Sequence, residues 1–311
     1  VMGLSSVHVE EELELAEYLE GKPRFVVEDV PESACRPGAE IFAPKVELCL
    51  VAREDAIHSA RKFGFAPDRV RYIGPPPHWG ESYASMMAGR ELRPTFKKRL
   101  GVELLALSPS NKIIYVPGTK SPELVNAILK NVIQAGKDCL GDNFVLGFRG
   151  HPGEKPGANS EEDKKRYERL FEERKLILQD IALLDSGSAN NANLVGAADI
   201  PFFPGGGPTE SIVAAYARMS AIYWWDEDVA KVLKGQGIAD GKWFPAEEGG
   251  VLKVVNSRDL YLGIISLLSP EGRAKLRRSQ EKNFPVDDDF DWNTAPKIVK
   301  ILEEIVLERS V

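Results

Sequence analysis

The sequence predicts an α/β protein with two parallel sheets, on three observations. Short apolar runs alternate with amphipathic stretches along most of the chain, the alternation lapses once around the prolines at 75–77, and the most marked apolar runs end in glycine-bearing turns. Alternating β and α elements imply parallel strands covered by helices on both faces. With 311 residues the chain is long enough for two domains of ordinary size.

Taken in order, the first series opens with a strand at 1–6 and a Glu-rich helix at about 9–19. Strands at 24–27, 47–51 and 69–74 follow, with a helix at 53–63 between the last two. The stretch from 74 to 111 runs through three prolines into a basic, helix-like segment ending near Leu100, and the domain boundary is placed there. The second series is a strand at 112–116, a helix at 122–135, a strand at 143–148, a charged helix at 160–173, a strand at 176–178 and a helix at 190–196. Next come the apolar run 198–204, a glycine turn, a strand at 220–224, a helix at 226–234, a strand at 251–255 and a helix at 257–268. The strands ending at Val116, Phe148 and Phe203 are expected to be parallel neighbours with their turns on one edge. This gives two Rossmann-like domains, 1–103 and 104–294, with parallel sheets facing across a cleft. A last helix in 295–311 puts Ile298, Val299, Leu302, Ile305 and Val306 on one face and is expected to pack back on the first domain.

Composition excludes several classes. Forty Lys and Arg against 47 Asp and Glu give a net charge of −7, which argues against a nucleic-acid partner. The basic clusters 97–99 and 273–278 are interrupted by apolar residues at helical spacing and read as solvated helix faces. Cys35, Cys49 and Cys139 are odd in number and lack CxxC spacing, which opposes a disulfide framework or zinc site and suits a reducing cytoplasm. No run of about eighteen apolar residues offers a membrane span, although an acceptor at a membrane surface stays open. The acidic run 287–291 reads as a solvated loop, so no metal site is expected.

Three turns carry chemistry. Gly205, Gly206 and Gly207 lead through Pro208 into Thr209, Glu210 and Ser211 at the start of a small-residue helix. Glycines let backbone approach a ligand, and the free N–H groups and dipole of the first helical turn favour a phosphate. The alternative is a tight βα turn in which Thr209 or Ser211 simply caps the helix. The second turn places His151 just past the strand at 143–148, and the third is Gly118, Thr119 and Lys120 after the strand at 112–116. In open parallel sheets ligands lie beyond the carboxyl ends of strands, so the three turns point to one phosphate-binding edge.

This order of parts resembles the twin-Rossmann, B-type glycosyltransferase superfamily, in particular the branch containing UDP-N-acetylglucosamine 2-epimerase. The resemblance implies that Gly205, Gly206 and Gly207 donate backbone N–H groups to a nucleoside diphosphate and that Glu210 accepts ribose hydroxyls. The His-Pro turn is similar to one in bacterial capsule transferases, which implies that His151 sits against the phosphates or leaving group. The Gly118-Thr119-Lys120 turn is similar to one in lipid A disaccharide synthase, and Glu28 resembles the glutamate of a strand-end epimerase motif, implying a general base. No counterpart of the epimerases' first-strand Gly-Thr-Arg-Pro-Glu turn occurs in 1–21, and Trp224-Trp225-Asp226-Glu227-Asp228 stands where they carry Thr-Glu-Arg-Pro-Glu. Usual members have a longer first domain, so the first domain reads as shortened, its opening units absent or supplied by a partner chain or second copy. The resemblance implies a metal-independent glycosyltransferase-like enzyme that uses no cofactor and takes a UDP-linked sugar as substrate, with an unassigned acceptor. An epimerase or hydrolase of the same fold, and a non-catalytic nucleotide-sugar-binding subunit, are the alternatives.

Overall fold

The computed structural model describes residues 2–4, 18, 25–28, 43–54, 56–100, 111–118, 122–141, 143–149, 175–177, 190–206, 209–235, 241–286 and 292–308. The chain divides into two compact units, one of Val1–Glu81, Lys231–Lys242 and Asp287–Val311, the other of Ser82–Ala230 and Trp243–Val286. The expected boundary at 103/104, the helix at 160–173 and all but one residue of that at 9–19 lie outside the described residues.

The first unit holds a four-stranded parallel sheet in the order β1 (Met2–Leu4), β2 (Phe25–Glu28), β3 (Leu48–Val51), β4 (Val70–Tyr72). β3 is buried along its whole length, as an inner strand covered on both faces must be. Its alternate side chains serve two cores. Cys49 and Val51 pack with Val26, Ala60 and Phe65, while Leu48 and Leu50 pack with Phe25 and Ile73. Helix α1 (Ala56–Lys62) closes the first core. The second is covered by the last helix, Ala295–Glu308, through Ile298, Ile301, Leu302 and Ile305, a spacing that forms one stripe. Ile301 therefore replaces Val299 on the buried face; Val299 is 53% exposed. The Thr294 hydroxyl donates to the Pro75 carbonyl at 2.8 Å and Lys297 Nζ to that of Ile73 at 3.1 Å, pinning the start of this helix.

The segment read as a proline-rich lapse is instead the start of a 24-residue helix, α2 (Pro77–Leu100). Proline is tolerated in a first helical turn, where its missing N–H has no intrahelical partner to lose. The division between the units falls inside α2.

The second unit is a six-stranded sheet, every pair of it parallel. Its strands are β5 (Lys112–Pro117), β6 (Phe144–Arg149), β7 (Lys175–Ile177), β8 (Ile200–Phe203), β9 (Ile222–Trp224) and β10 (Leu252–Val254), in the order β10-β9-β8-β5-β6-β7. Thus β8, β5 and β6 are the parallel neighbours that their apolar runs predict. The helices are α3 (Pro122–Leu140), α4 (Asn191–Ala197), α5 (Thr209–Tyr216), α6 (Glu227–Gly235), α7 (Phe244–Glu247), α8 (Ser257–Leu268) and α9 (Pro270–Asn283), with the 295–308 helix completing the set as α10. α2 and α4 meet backbone to backbone. A Cβ on Gly89 would collide with the Asn193 carbonyl, and one on Gly196 with that of Met86. Gln280, 1% exposed, ties α9 down by donating to the carbonyls of Met219 and Gly250, both at 2.8 Å. No helix among the described residues is long and apolar enough to cross a membrane.

Candidate functional site

Because β8, β5 and β6 run parallel, their carboxyl ends share one edge of the second unit's sheet. β8 ends at Phe203, and Pro204, Gly205 and Gly206 lead towards α5. Gly205 has φ +89° and Gly206 φ +82°, conformations that side-chain-bearing residues rarely adopt. Space requires glycine at 205 as well. A Cβ there would lie 2.6 and 2.7 Å from the two γ-carbons of the buried Val229. Sequence and packing thus agree on a turn whose backbone is bare of side chains.

α5 is embedded from its first turn onward, with Ile212, Val213, Ala214 and Ala215 fully buried. Thr209 and Glu210 open it and are half-buried. Ser211 is fully buried, and its hydroxyl accepts the indole N–H of Trp243 at 2.7 Å, so its side chain anchors the helix start. Glu210 puts a carboxylate in that first turn.

On the neighbouring strand the Gly118 N–H donates to the Arg149 carbonyl at 2.6 Å, which carries the β5–β6 pairing into the turn. Below it lies Tyr115, whose hydroxyl donates to Asn191 Oδ1 at 2.8 Å. Burial pushes the Tyr115 phenol well above its ordinary pKa; the Arg149 guanidinium opposes that shift and the Glu210 carboxylate adds to it. A guanidinium from a strand end and a carboxylate from the first turn of α5 therefore act on one buried hydroxyl. Asn191 is held in turn by a capping box at the start of α4, where Asn190 and Asn193 bond each other's backbone N–H, and both amides reach Ser85. Arg149 and Tyr115 received no role from sequence; the signal for Arg149 was its place at the end of a buried strand beside the His151 turn.

Gly118, Gly205, Gly206, Thr209 and Glu210 come together on one sheet edge. Gly207, Thr119, Lys120, His151 and the acidic run 287–291 lie outside the described residues. The Glu28 backbone ends β2, paired with Leu4, in the first unit. After β9 the chain enters the Trp224-to-Asp228 segment, where Asp226 Oδ1 accepts the Val229 N–H at 2.9 Å and Oδ2 the Trp224 indole at 2.7 Å. Asp226 thus caps α6. Among the described residues no group of three His, Cys, Asp or Glu side chains is arranged to hold a metal ion.

No family model and no curated protein matches the sequence. Solved structures do match its fold. UDP-GlcNAc 2-epimerase of Methanocaldococcus jannaschii, in complex with UDP-GlcNAc and UDP, superposes with a TM-score of 0.55 at 11% identity over 94% of this chain and 79% of its own. Staphylococcus aureus MnaA with UDP gives 0.59 at 11% identity over 94% and 72%. Anabaena HepE in complex with UDP gives 0.54 at 12% identity over 94% and 81%. With two parallel-sheet units and a glycine turn on the carboxyl edge of the second, the chain has the twin-Rossmann, B-type fold of these structures.

Proposed function

We propose that the protein binds a nucleotide-activated sugar, UDP-linked, at the carboxyl edge of the second unit's sheet and transfers the sugar to an acceptor without a metal ion. The observation that carries this reading is the β8–α5 turn. Gly205 is fixed as glycine by both φ and Val229, and the turn leads directly to a helix of eight residues with Glu210 in its first turn. Its backbone N–H groups and helix dipole suit a diphosphate, and a carboxylate accepts two ribose hydroxyls in charge-assisted bonds. Thr209 joins those donors, Ser211 positions the helix start, and Gly207, Gly118, Thr119 and Lys120 complete the nucleotide contacts. As the sugar leaves the diphosphate, negative charge grows on the phosphate oxygens; the N–H groups of the turn and His151 offset it. Glu28 takes the proton of the acceptor hydroxyl. The three cysteines, without disulfide spacing, fit a cytoplasmic setting.

Sugar-nucleotide epimerisation is the second reading. It is favoured by the fold shared with an epimerase bound to UDP-GlcNAc and UDP. Against it, Asp226 spends its carboxylate on the α6 cap and on Trp224. Calorimetry with UDP, GDP and CMP tests the cradle. UDP should bind, and Glu210→Ala should lose roughly 1–3 kcal/mol for the ribonucleotide with little change for its 2′,3′-dideoxy analogue. Equal losses for both would remove Glu210 from the ribose. Sugar release that requires an acceptor supports transfer, epimer formation without acceptor supports the second reading, and binding with neither leaves a binding subunit.

A further inference from the structure

At the amino-terminal edge of the same sheet lies a cavity of about 380 Å³. Lys112 opens β5 there, Asp199 precedes β8, Arg218 precedes β9, Arg90 and Arg93 come from α2, and Arg273 from the first turns of α9. Five basic side chains line it against one carboxylate. The chain as a whole carries a net charge of −7, so this excess does not follow from composition.

Asp199 is the one carboxylate among the lining residues. Asp199 Oδ2 accepts the Ile113 N–H at 2.9 Å, joining β8 to β5, and Oδ1 lies 4.0 Å from Arg93 Nη1. Arg93 Nη2 donates to the Gly196 carbonyl at 3.0 Å, while its Nε is buried with no hydrogen-bond partner. Burial pulls the Arg93 guanidinium below its ordinary pKa; Asp199 opposes the shift and Arg90 adds to it. Burial also lowers Arg218.

Helix ends account for part of the charge. Arg218 Nη1 caps the Ala215 carbonyl at 3.0 Å, and Arg273 Nη1 reaches those of Leu267 and Leu268 at 3.1 and 2.9 Å, where cations offset the negative end of a helix dipole. Arg93 Nη2 caps the last turn of α4 at Gly196 in the same way, so that explanation does not extend to Arg90 or Lys112 alone. Nor does it explain the backbone at 218. The Met219 N–H bonds Ala214 O and the Arg218 N–H bonds Ala215 O, a helix ending whose left-handed position normally takes glycine; here Arg218 occupies it at φ +57°. Its Nη1 caps that same helix end, and the residue forms part of the cavity wall.

We infer that this cavity is a second anion site, for a small phosphorylated ligand, separate from the nucleotide cradle. Guanidinium groups fork onto phosphate oxygens in pairs, and the volume falls within the range of small-molecule sites. The two sites stand at opposite ends of β5, about 20 Å apart along six residues.

Pyrophosphate titrated into the full chain at saturating UDP tests the proposal. One further equivalent should bind. Arg90→Gln with Lys112→Gln should weaken it at least tenfold. Arg218→Gly, whose backbone suits the left-handed position, should weaken it as well without unfolding the helix end. UDP affinity should be unchanged in both. Absence of pyrophosphate binding, or equal binding by the native chain and both variants, would overturn the site. If UDP itself does not bind, the same titration without UDP is decisive: variant-sensitive pyrophosphate binding then supports the cavity while the nucleotide reading fails alone.

Discussion

Gly205→Ala is the sharpest perturbation of the candidate cradle, because two independent costs meet at one atom. The new methyl would sit 2.6 and 2.7 Å from Val229 Cγ2 and Cγ1. Valine is branched at Cβ and stiff about χ1, so it cannot withdraw both γ-carbons, and overpacking of this kind costs about 1–3 kcal/mol. A left-handed backbone adds about 1–2 kcal/mol for a residue with a Cβ, giving about 2–5 kcal/mol in all. Val229→Ala, in a fully buried position, should by itself cost about 1–3 kcal/mol. In the double variant the methyl introduced at position 205 occupies the space vacated, so only the backbone cost remains on top of Val229→Ala. Urea unfolding followed by the fluorescence of Trp224, Trp225 and Trp243, all in the second unit, measures each corner of the cycle. The double variant should be more stable than the sum of the singles predicts by about 1–3 kcal/mol. Additivity to within about 0.5 kcal/mol, the behaviour of uncoupled sites, would refute the argument that Val229 shapes the turn.

Ser211→Ala strips the buried Trp243 indole of its acceptor and should cost about 1–3 kcal/mol in the same unfolding assay; a loss below about 0.5 kcal/mol would show that the bond does not anchor α5. Burial, with Asp138 adding, pushes the Cys139 thiol up to about 11. A raised thiol pKa keeps the unreactive neutral form until the pH climbs through that value. With Cys35→Ser in place and Cys49 fully buried, iodoacetamide labelling of Cys139 should be very slow at pH 8 and rise about tenfold per pH unit towards pH 10. Rapid labelling at pH 8 would contradict that burial.

The inner strands were legible because a parallel strand covered on both faces must be apolar throughout: β5, β8 and β3 are buried along nearly their whole lengths. The glycine turn was legible for a similar reason, since one short segment supplies strand end, bend and helix start. Where reading failed, a local signal had two physical meanings. Three prolines at 75–77 suggested a break, yet the third begins α2. Val299 and Ile301 are equally apolar, and only the position of the β-sheet core decides that Ile301 packs against Leu48 and Leu50 while Val299 faces outward.

The basic cluster 273–278 shows how the amino-edge cavity stayed hidden. Arg277 pairs with Glu281 across one turn and is largely exposed, as a solvated helix face should be, but Arg273, one turn earlier, lines the cavity. A carboxyl-edge site is built largely from backbone donors of one segment, so glycine spacing announces it. The amino edge receives helix carboxyl ends, whose carbonyls give any nearby arginine a structural use. A cation site there has to be recognised by charge in excess of that use, summed over residues scattered from 90 to 273. Arg90 and Lys112 form that excess, and it became visible only when the fold brought α2 and the start of β5 to one cavity.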